Sequence, residues 1–151
     1  MTEKLHDIFD DLVPGEPKGL SSLKEAIAVV ALGAAASDGS VSSEERLRFV
    51  ALALGSPLFP NDIDDIISEA TRIAHFVNKL GSEKALRMAG KNLTSGLKET
   101  AFAWAVDIVV ADGWLDIKEK EYLEYVIHEF DIAPSTAKKI VEVIKIRNRV
   151  D

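Results

Sequence analysis

Two short acidic turns, each at the end of an alanine- and valine-rich run, constrain this chain more than any other feature. The turns are Asp-Gly pairs that begin at Asp38 and Asp112, 74 residues apart. A glutamate follows each aspartate by seven residues, Glu45 in the first copy and Glu119 in the second. The 46 residues around the first turn overlay those around the second without a gap, with seven identities and with apolar positions in the same frame. The pattern predicts two copies of one helical unit.

The hydrophobic pattern is helical along the whole chain. Four apolar residues on one face predict an amphipathic helix over 2–13, which ends at Pro14-Gly15: Leu5, Ile8, Phe9 and Leu12. The mainly apolar stretches 23–36 and 97–111 predict two central buried helices, and we expect the two copies to pack through them. No window keeps the alternation of a half-buried strand for more than a few residues. We therefore predict an all-α fold of seven to eight helices.

Capping and turn residues give the expected domain plan and helix boundaries. We expect one domain over 1–151, with the N-terminal helix 2–13, repeat one over 22–80 and repeat two over 83–149. Ser21 or Ser22 is expected to cap the first central helix, Pro60 to begin a helix that ends near Leu80, and Ser82 to cap a short helix over 83–92. The remaining helices are expected near 43–54, 97–111 and 117–129, and from Pro134 onward.

Charge and composition exclude several classes of function. The formal net charge of −7 argues against general binding of nucleic acid, whose phosphates are met by clustered lysine and arginine. The chain has no cysteine, and therefore no disulfide, zinc thiolate site or thiol nucleophile. The N-terminus lacks the apolar core of a signal peptide, and the longest apolar runs, eleven residues, are shorter than the roughly 20 that a membrane helix needs. We expect a cytoplasmic protein.

The acidic turns match the second half of a calcium-binding EF-hand loop. That half contains an aspartate, an obligate glycine, an apolar residue and a glutamate at these spacings. Asp116 improves the match of the second copy, because it occupies the ninth loop position. The first half of the loop is missing, since alanines in one copy and Ile108 and Val110 in the other stand where oxygen ligands are needed. A complete one-loop calcium site is excluded, because calcium takes about 6–8 oxygens.

Helix capping explains the same residues in another way. An Asp-Gly pair ends a helix at little cost, because glycine accepts the left-handed backbone conformation. Ser42-x-x-Glu45 and Asp116-x-x-Glu119 are capping-box patterns that begin the next helix. Capping alone gives the motif a structural role, whereas a cation site needs further ligands from elsewhere in the fold. The sequence leaves both explanations open, and the candidate metal ligands are Asp38, Glu45, Asp112, Asp116 and Glu119.

Three features carry a resemblance to a known family: the two helix–Asp-Gly–helix units, the stretch Leu80–Leu86, and Thr100–Trp104 leading into Val106–Gly113. Over about residues 20–145 the chain resembles the TerB family, an all-helical domain associated with tellurite resistance and also found at the head of a DnaJ-type membrane co-chaperone. The resemblance implies a seven-helix fold with internal pseudo-symmetry, an acidic cluster suspected of holding a metal, and no established catalysis. The matching acidic positions are Asp38, Glu45, Asp112 and Glu119. The sequence shows no J-domain and no membrane span, so the co-chaperone role does not transfer.

Asp107 is a carboxylate inside one of the apolar runs. A charge in such a place must be paired, hydrogen-bonded or neutralised. A structural ion pair or an edge position is favoured over a functional carboxylate, because structural networks also hold such groups. Trp104 is expected in the core. Lys145, Arg147 and Arg149 make the last helix basic, which suits the helix dipole or a docking strip for an acidic partner.

The function expected from the sequence is that of a non-enzymatic TerB-like domain in a tellurite, metal or stress response. Its acidic turns are expected to bind a divalent cation (Ca, Mg, Mn or Zn) or to present a charged face to a protein partner. No catalytic residue, organic cofactor or nucleic-acid partner is expected, and self-association is left open. The alternatives are a purely structural interaction module, in which the turns only join helices, and, less favoured, a carboxylate-metal enzyme.

Overall fold

The computed structural model describes residues 20–37, 39, 41–59, 62–110 and 115–149. Within these ranges it has seven α-helices and no strand, which confirms the all-α prediction. The helices are α1 (Leu20–Ala36), α2 (Ser43–Leu54), α3 (Ile63–Leu80), α4 (Ser82–Gly90), α5 (Ser95–Val109), α6 (Ile117–Glu129) and α7 (Pro134–Arg147). The helix predicted over 2–13 lies outside the described residues.

Side-chain caps begin four of these helices. Ser42 is the N-cap of α2 and Asp116 the N-cap of α6, each in a complete capping box, and both helices have their predicted bounds. Thr94 caps α5, which begins two residues before its predicted start. Asp62 caps α3, and its carboxylate accepts hydrogen bonds from the amides of the two residues that follow Ile63. Residues two or three positions apart thus define these helix starts, as local sequence rules require.

Three predicted helix starts were wrong. Ser21 and Ser22 lie inside α1, because the helix already begins at Leu20. Helix α3 begins at Ile63 instead of at Pro60, because the aspartate before Ile63 caps it. The hydroxyl of Ser82 donates to the carbonyl of Gly33 at 3.1 Å, so it does not cap α4, whose N-cap is the preceding glycine.

The core is built around α1, which is buried continuously from Ala26 to Ala36. It packs more extensively against α5 than against any other helix, and next against α4 and α3. Both α1 and α5 consist mainly of apolar residues, and neither could leave a face in water without exposing a large apolar area. The expected contact between the two apolar helices is present, whereas the relation of the two halves as copies of one unit stays a prediction.

Gly33 lets α6 approach α1 closely. The hydroxyl of Tyr122 donates to the carbonyl of Val30 at 2.9 Å, and a Cβ at Gly33 would lie 2.5 Å from that hydroxyl oxygen. The open side of this glycine therefore faces α6. Burial raises the pKa of Tyr122 far above its ordinary value, because the phenolate would have no water around it.

Asp107 joins three helices through an ion-pair cluster. The residue lies on α5 and is 6% exposed. Its Oδ1 accepts a hydrogen bond from Nη2 of Arg48 on α2 at 3.1 Å, and its Oδ2 accepts one from Nη2 of Arg147 on α7. Arg48 also donates to Oδ1 of Asn148, just after α7, at 3.3 Å. The structural ion pair that the sequence favoured for Asp107 is confirmed.

Candidate functional site

An open cleft of about 640 Å³ lies where the first acidic turn meets α4 and α6. Ala36, Ser37 and Gly39 line it from the end of α1 and the turn, and Lys118, Glu121 and Tyr122 line it from the first half of α6. The junction of α3 and α4 completes the cleft with Leu80, Gly81, Ser82, Glu83, Lys84 and Arg87. The fold thus brings the turn of the first half and the helix that follows the turn of the second half to one cleft.

The first acidic turn has the backbone that its glycine permits. Gly39 has a φ of 137°, a conformation that side chains with a Cβ rarely adopt, and its amide donates to the carbonyl of Ala36 at 3.0 Å. The prediction that the Asp-Gly pair ends α1 is therefore confirmed for this copy. Asp38 itself lies outside the described residues, but both of its neighbours in the chain line the cleft.

Three of the five candidate metal ligands are described, and all three act in capping boxes. Oε1 of Glu45 accepts from the amide of Ser42 at 2.9 Å, while Oγ of Ser42 accepts from the amide of Glu45 at 3.1 Å. In the second copy, Oδ1 of Asp116 accepts from the amide of Glu119 at 2.8 Å and Oε1 of Glu119 accepts from the amide of Asp116 at 3.1 Å. The predicted capping role is confirmed for both copies.

Asp112, the fifth candidate ligand, also lies outside the described residues, as does Trp114 beside it. Among the residues that are described, no three carboxylate, histidine or cysteine side chains come close enough to hold a metal ion. The capping carboxylates do not form a site by themselves, and a cation would need Asp38 or Asp112 as well. The metal assignment therefore stays a prediction.

Basic side chains in the cleft were not anticipated from the sequence. Lys84, Arg87 and Lys118 lie among its lining residues together with Glu83 and Glu121. Nη1 of Arg87 donates to the hydroxyl of Tyr125 on α6 at 2.8 Å, and this hydrogen bond raises the pKa of Arg87 above its ordinary value. These charges are spread over helices that only the fold brings together, so no short motif marks them. The cleft presents both signs of charge to solvent.

A second cleft, of about 570 Å³, lies beside the ion-pair cluster of Asp107. Trp104 lines it and packs against Phe49 and Phe59, with ring centroids 5.7 and 5.5 Å away. Trp104 was expected in the core, and the structure has it partly buried and packed against the core. Both carboxylate oxygens of Asp107 accept hydrogen bonds from arginine, so the geometry gives this residue a structural task.

The described part of the chain is an all-helical domain in which two capping boxes begin α2 and α6. None of its helices is long and apolar enough to cross a membrane. The model of the family described as tellurite resistance protein TerB matches residues 24–142. The chain therefore belongs to the TerB family, as its two acidic turns indicated. No curated protein and no solved structure matches it.

Proposed function

We propose that this TerB domain is a non-enzymatic cytoplasmic module of a tellurite, metal or stress response, and that its acidic turns bind a divalent cation. The observation that carries the proposal is the position of the first turn. Ser37 and Gly39, which flank Asp38, line the same cleft as the first half of α6. We therefore expect a carboxylate at this turn to reach an open cleft that a hydrated ion can enter.

The chemistry of the candidate ligands supports a hard divalent cation. Carboxylate oxygens suit calcium, magnesium and manganese, whereas zinc prefers nitrogen and sulfur ligands, and the chain has no cysteine. Asp38 and Asp112 would supply the ligands that capping does not use. Glu83 and Glu121 line the cleft and would add carboxylates from α4 and α6. Water would complete the coordination, as it does at many magnesium sites.

A second candidate function is that of an interaction module without metal. Two observations favour it: capping already uses Glu45, Asp116 and Glu119, and the cleft carries lysine and arginine beside its glutamates. A protein partner with charges of both signs would match such a surface. The two functions differ in whether an ion stabilises the folded chain.

Thermal unfolding with and without calcium, magnesium, manganese or zinc at millimolar concentration distinguishes them. A ligand present at a hundred times its dissociation constant stabilises the folded state by about 2.7 kcal/mol. For a domain of this size that corresponds to a rise in Tm of roughly 5–10 °C. The rise should disappear in the Asp38→Asn, Asp112→Asn double variant, because asparagine keeps the turn and removes both charges.

Asp62→Asn is the matched control. It removes a carboxylate at the start of α3, outside the acidic turns, and asparagine is an equally good N-cap. Its ion-dependent rise in Tm should equal that of the unmodified chain. If no ion raises Tm, or if the double variant responds as strongly as the control, the cation proposal is wrong and the interaction module is favoured.

A further inference from the structure

An apolar groove runs between α3 and α4. Phe76 on α3 and Met88 on α4 form its two walls and are 37% and 44% exposed. Ala26 and Val29 of α1 form its floor and are buried. Two large apolar side chains that face each other across a groove leave a continuous apolar surface in water unless something covers it.

The groove opens toward the beginning of α1. Nη2 of Arg72, in the middle of α3, lies 3.4 Å from Oε1 of Glu25, near the start of α1. The hydroxyl of Ser82, two residues after the end of α3, donates a hydrogen bond to the carbonyl of Gly33, near the end of α1. Helices α1 and α3 therefore run in the same direction, and α4 returns along them, so that Asn92 lines the groove near Glu25. Whatever leaves the N-terminal end of α1 emerges next to this groove.

The charged residues that line the groove are Glu25 and Arg72, which are paired with each other. Arg72 and Lys79 lie one helical turn before and after Phe76, and Lys84 and Lys91 lie one turn before and after Met88. All four side chains are exposed. Arg72 is paired with Glu25 and Glu69, whereas the three lysines form no ion pair within the described residues.

We propose that the N-terminal segment of this same chain, residues 2–13, docks in the groove as an amphipathic helix. Its apolar face would cover the exposed walls, and its carboxylates, on the opposite face of the helix, would stay in water. The apolar face consists of Leu5, Ile8, Phe9 and Leu12, and the carboxylates are Glu3, Asp7, Asp10 and Asp11. The segment therefore has the apolar stripe that the groove requires.

The connection between segment and groove is short enough to hold them together. Residues 14–19 lie between the segment and Leu20, the first residue of α1, and six residues span at most about 20 Å. Val29 is nine residues into α1 from Leu20, which is about 14 Å along the helix axis. A tether of this length keeps the segment at roughly millimolar effective concentration near the groove. A second apolar groove, between Leu47 on α2 and Ile67 on α3, has no α1 residue in its lining.

Disulfide trapping in the full chain tests the docking directly, because the chain contains no cysteine of its own. The test pair is Phe9→Cys with Met88→Cys, and the matched control is Phe9→Cys with Leu47→Cys, since Leu47 is 63% exposed in the other groove. Under mild oxidation, the test pair should form an intramolecular disulfide at least about tenfold faster than the control, as expected from local effective concentration. Gel mobility without reductant measures the rate.

Each other outcome overturns the proposal. Equal rates for both pairs would mean that the segment does not prefer the groove between α3 and α4. A disulfide-linked dimer as the main product would mean that a second copy of the chain occupies the groove. No disulfide at all in the Phe9→Cys, Met88→Cys chain would mean that the segment does not lie in the groove.

A double-mutant cycle checks the same contact without cross-linking. Phe9→Ala and Phe76→Ala should each lower Tm, and the combined variant should lose less than the sum of the two, because both substitutions remove one contact. The control cycle pairs Phe9→Ala with Ile67→Ala, where the losses should add. Additive losses in both cycles would overturn the proposal. Phe76 and Ile67 are both exposed, at 37% and 42%, so neither substitution opens a cavity in the core.

Discussion

Replacing Asp107 by asparagine should destabilise the fold by about 2 kcal/mol, since it removes the charge at the centre of a three-helix cluster. Asparagine has nearly the same volume, so the substitution leaves no cavity. It keeps one acceptor oxygen and places an NH2 group against one of the two arginines. The cluster would lose a charge-assisted hydrogen bond and retain a weaker one.

The magnitude follows from the exposure of the three side chains. Hydrogen bonds to charged groups contribute about 1.5–3 kcal/mol each, and breaking a fully buried ion pair costs about 3–5 kcal/mol. The Asp107 side chain is 9% exposed, but those of Arg48 and Arg147 are 32% and 54% exposed. Water can therefore solvate the arginines again, which reduces the cost to about 2 kcal/mol. This corresponds to a fall in Tm of roughly 4–8 °C for a domain of this size.

Urea unfolding followed by circular dichroism measures the change. The midpoint should fall while the dependence of the unfolding free energy on urea stays the same, because the folded state keeps its buried area. The matched control is Asp131→Asn. Asp131 is exposed and has a φ of 52°, a conformation that asparagine tolerates as well as aspartate, so we expect no change beyond about 0.5 kcal/mol. If Asp107→Asn is as stable as this control, the ion-pair cluster does not stabilise the fold.

Two further predictions concern Tyr122. Gly33→Ala should destabilise the fold by about 1–3 kcal/mol, although alanine is otherwise the better helix residue, because the new Cβ would lie 2.5 Å from the Tyr122 hydroxyl oxygen. Adding Tyr122→Phe should restore part of that loss in urea unfolding, and a Gly33→Ala chain of normal stability would contradict the close approach. Because burial raises the pKa of Tyr122, the unfolded chain releases the phenol proton above about pH 10 while the folded chain keeps it. Stability from this group is present below that pH and is lost above it, by up to about 1.4 kcal/mol per pH unit. In a Tyr125→Phe background, the stability difference between Tyr122 and Tyr122→Phe chains should therefore fall as pH rises from about 9 to 11, and a constant difference would refute the pH dependence.

Helix starts were predictable where the hydrogen bonds that define them are local. The capping boxes at Ser42 and Asp116 are formed by residues three positions apart, and both were correct to the residue. The prediction failed at Ser82, because its hydroxyl bonds to Gly33, 49 residues earlier in the chain. A serine that can cap a helix can also bond to another helix, and only packing selects between the two.

The ion-pair cluster of Asp107 likewise has one part that the sequence predicts and another part that only packing decides. An aspartate inside an apolar run must find a partner, so the sequence alone favoured an ion pair at Asp107. The partners could not be named, because Arg48 and Arg147 are 59 and 40 residues away along the chain. Many arginines would have satisfied the sequence rule equally well. The packing of α2 and α7 against α5 selected these two.

The sequence by itself determined the helical class, the two acidic turns with their capping boxes, and membership in the TerB family. These depend on helical periodicity and on hydrogen bonds between residues a few positions apart, which the chain carries locally. Only the tertiary structure decided that the first turn and α6 share one cleft, that Gly33 faces Tyr122, and that Asp107 lies between two arginines. Such contacts depend on how whole helices pack, because each helix buries its apolar face against whichever surface the fold offers.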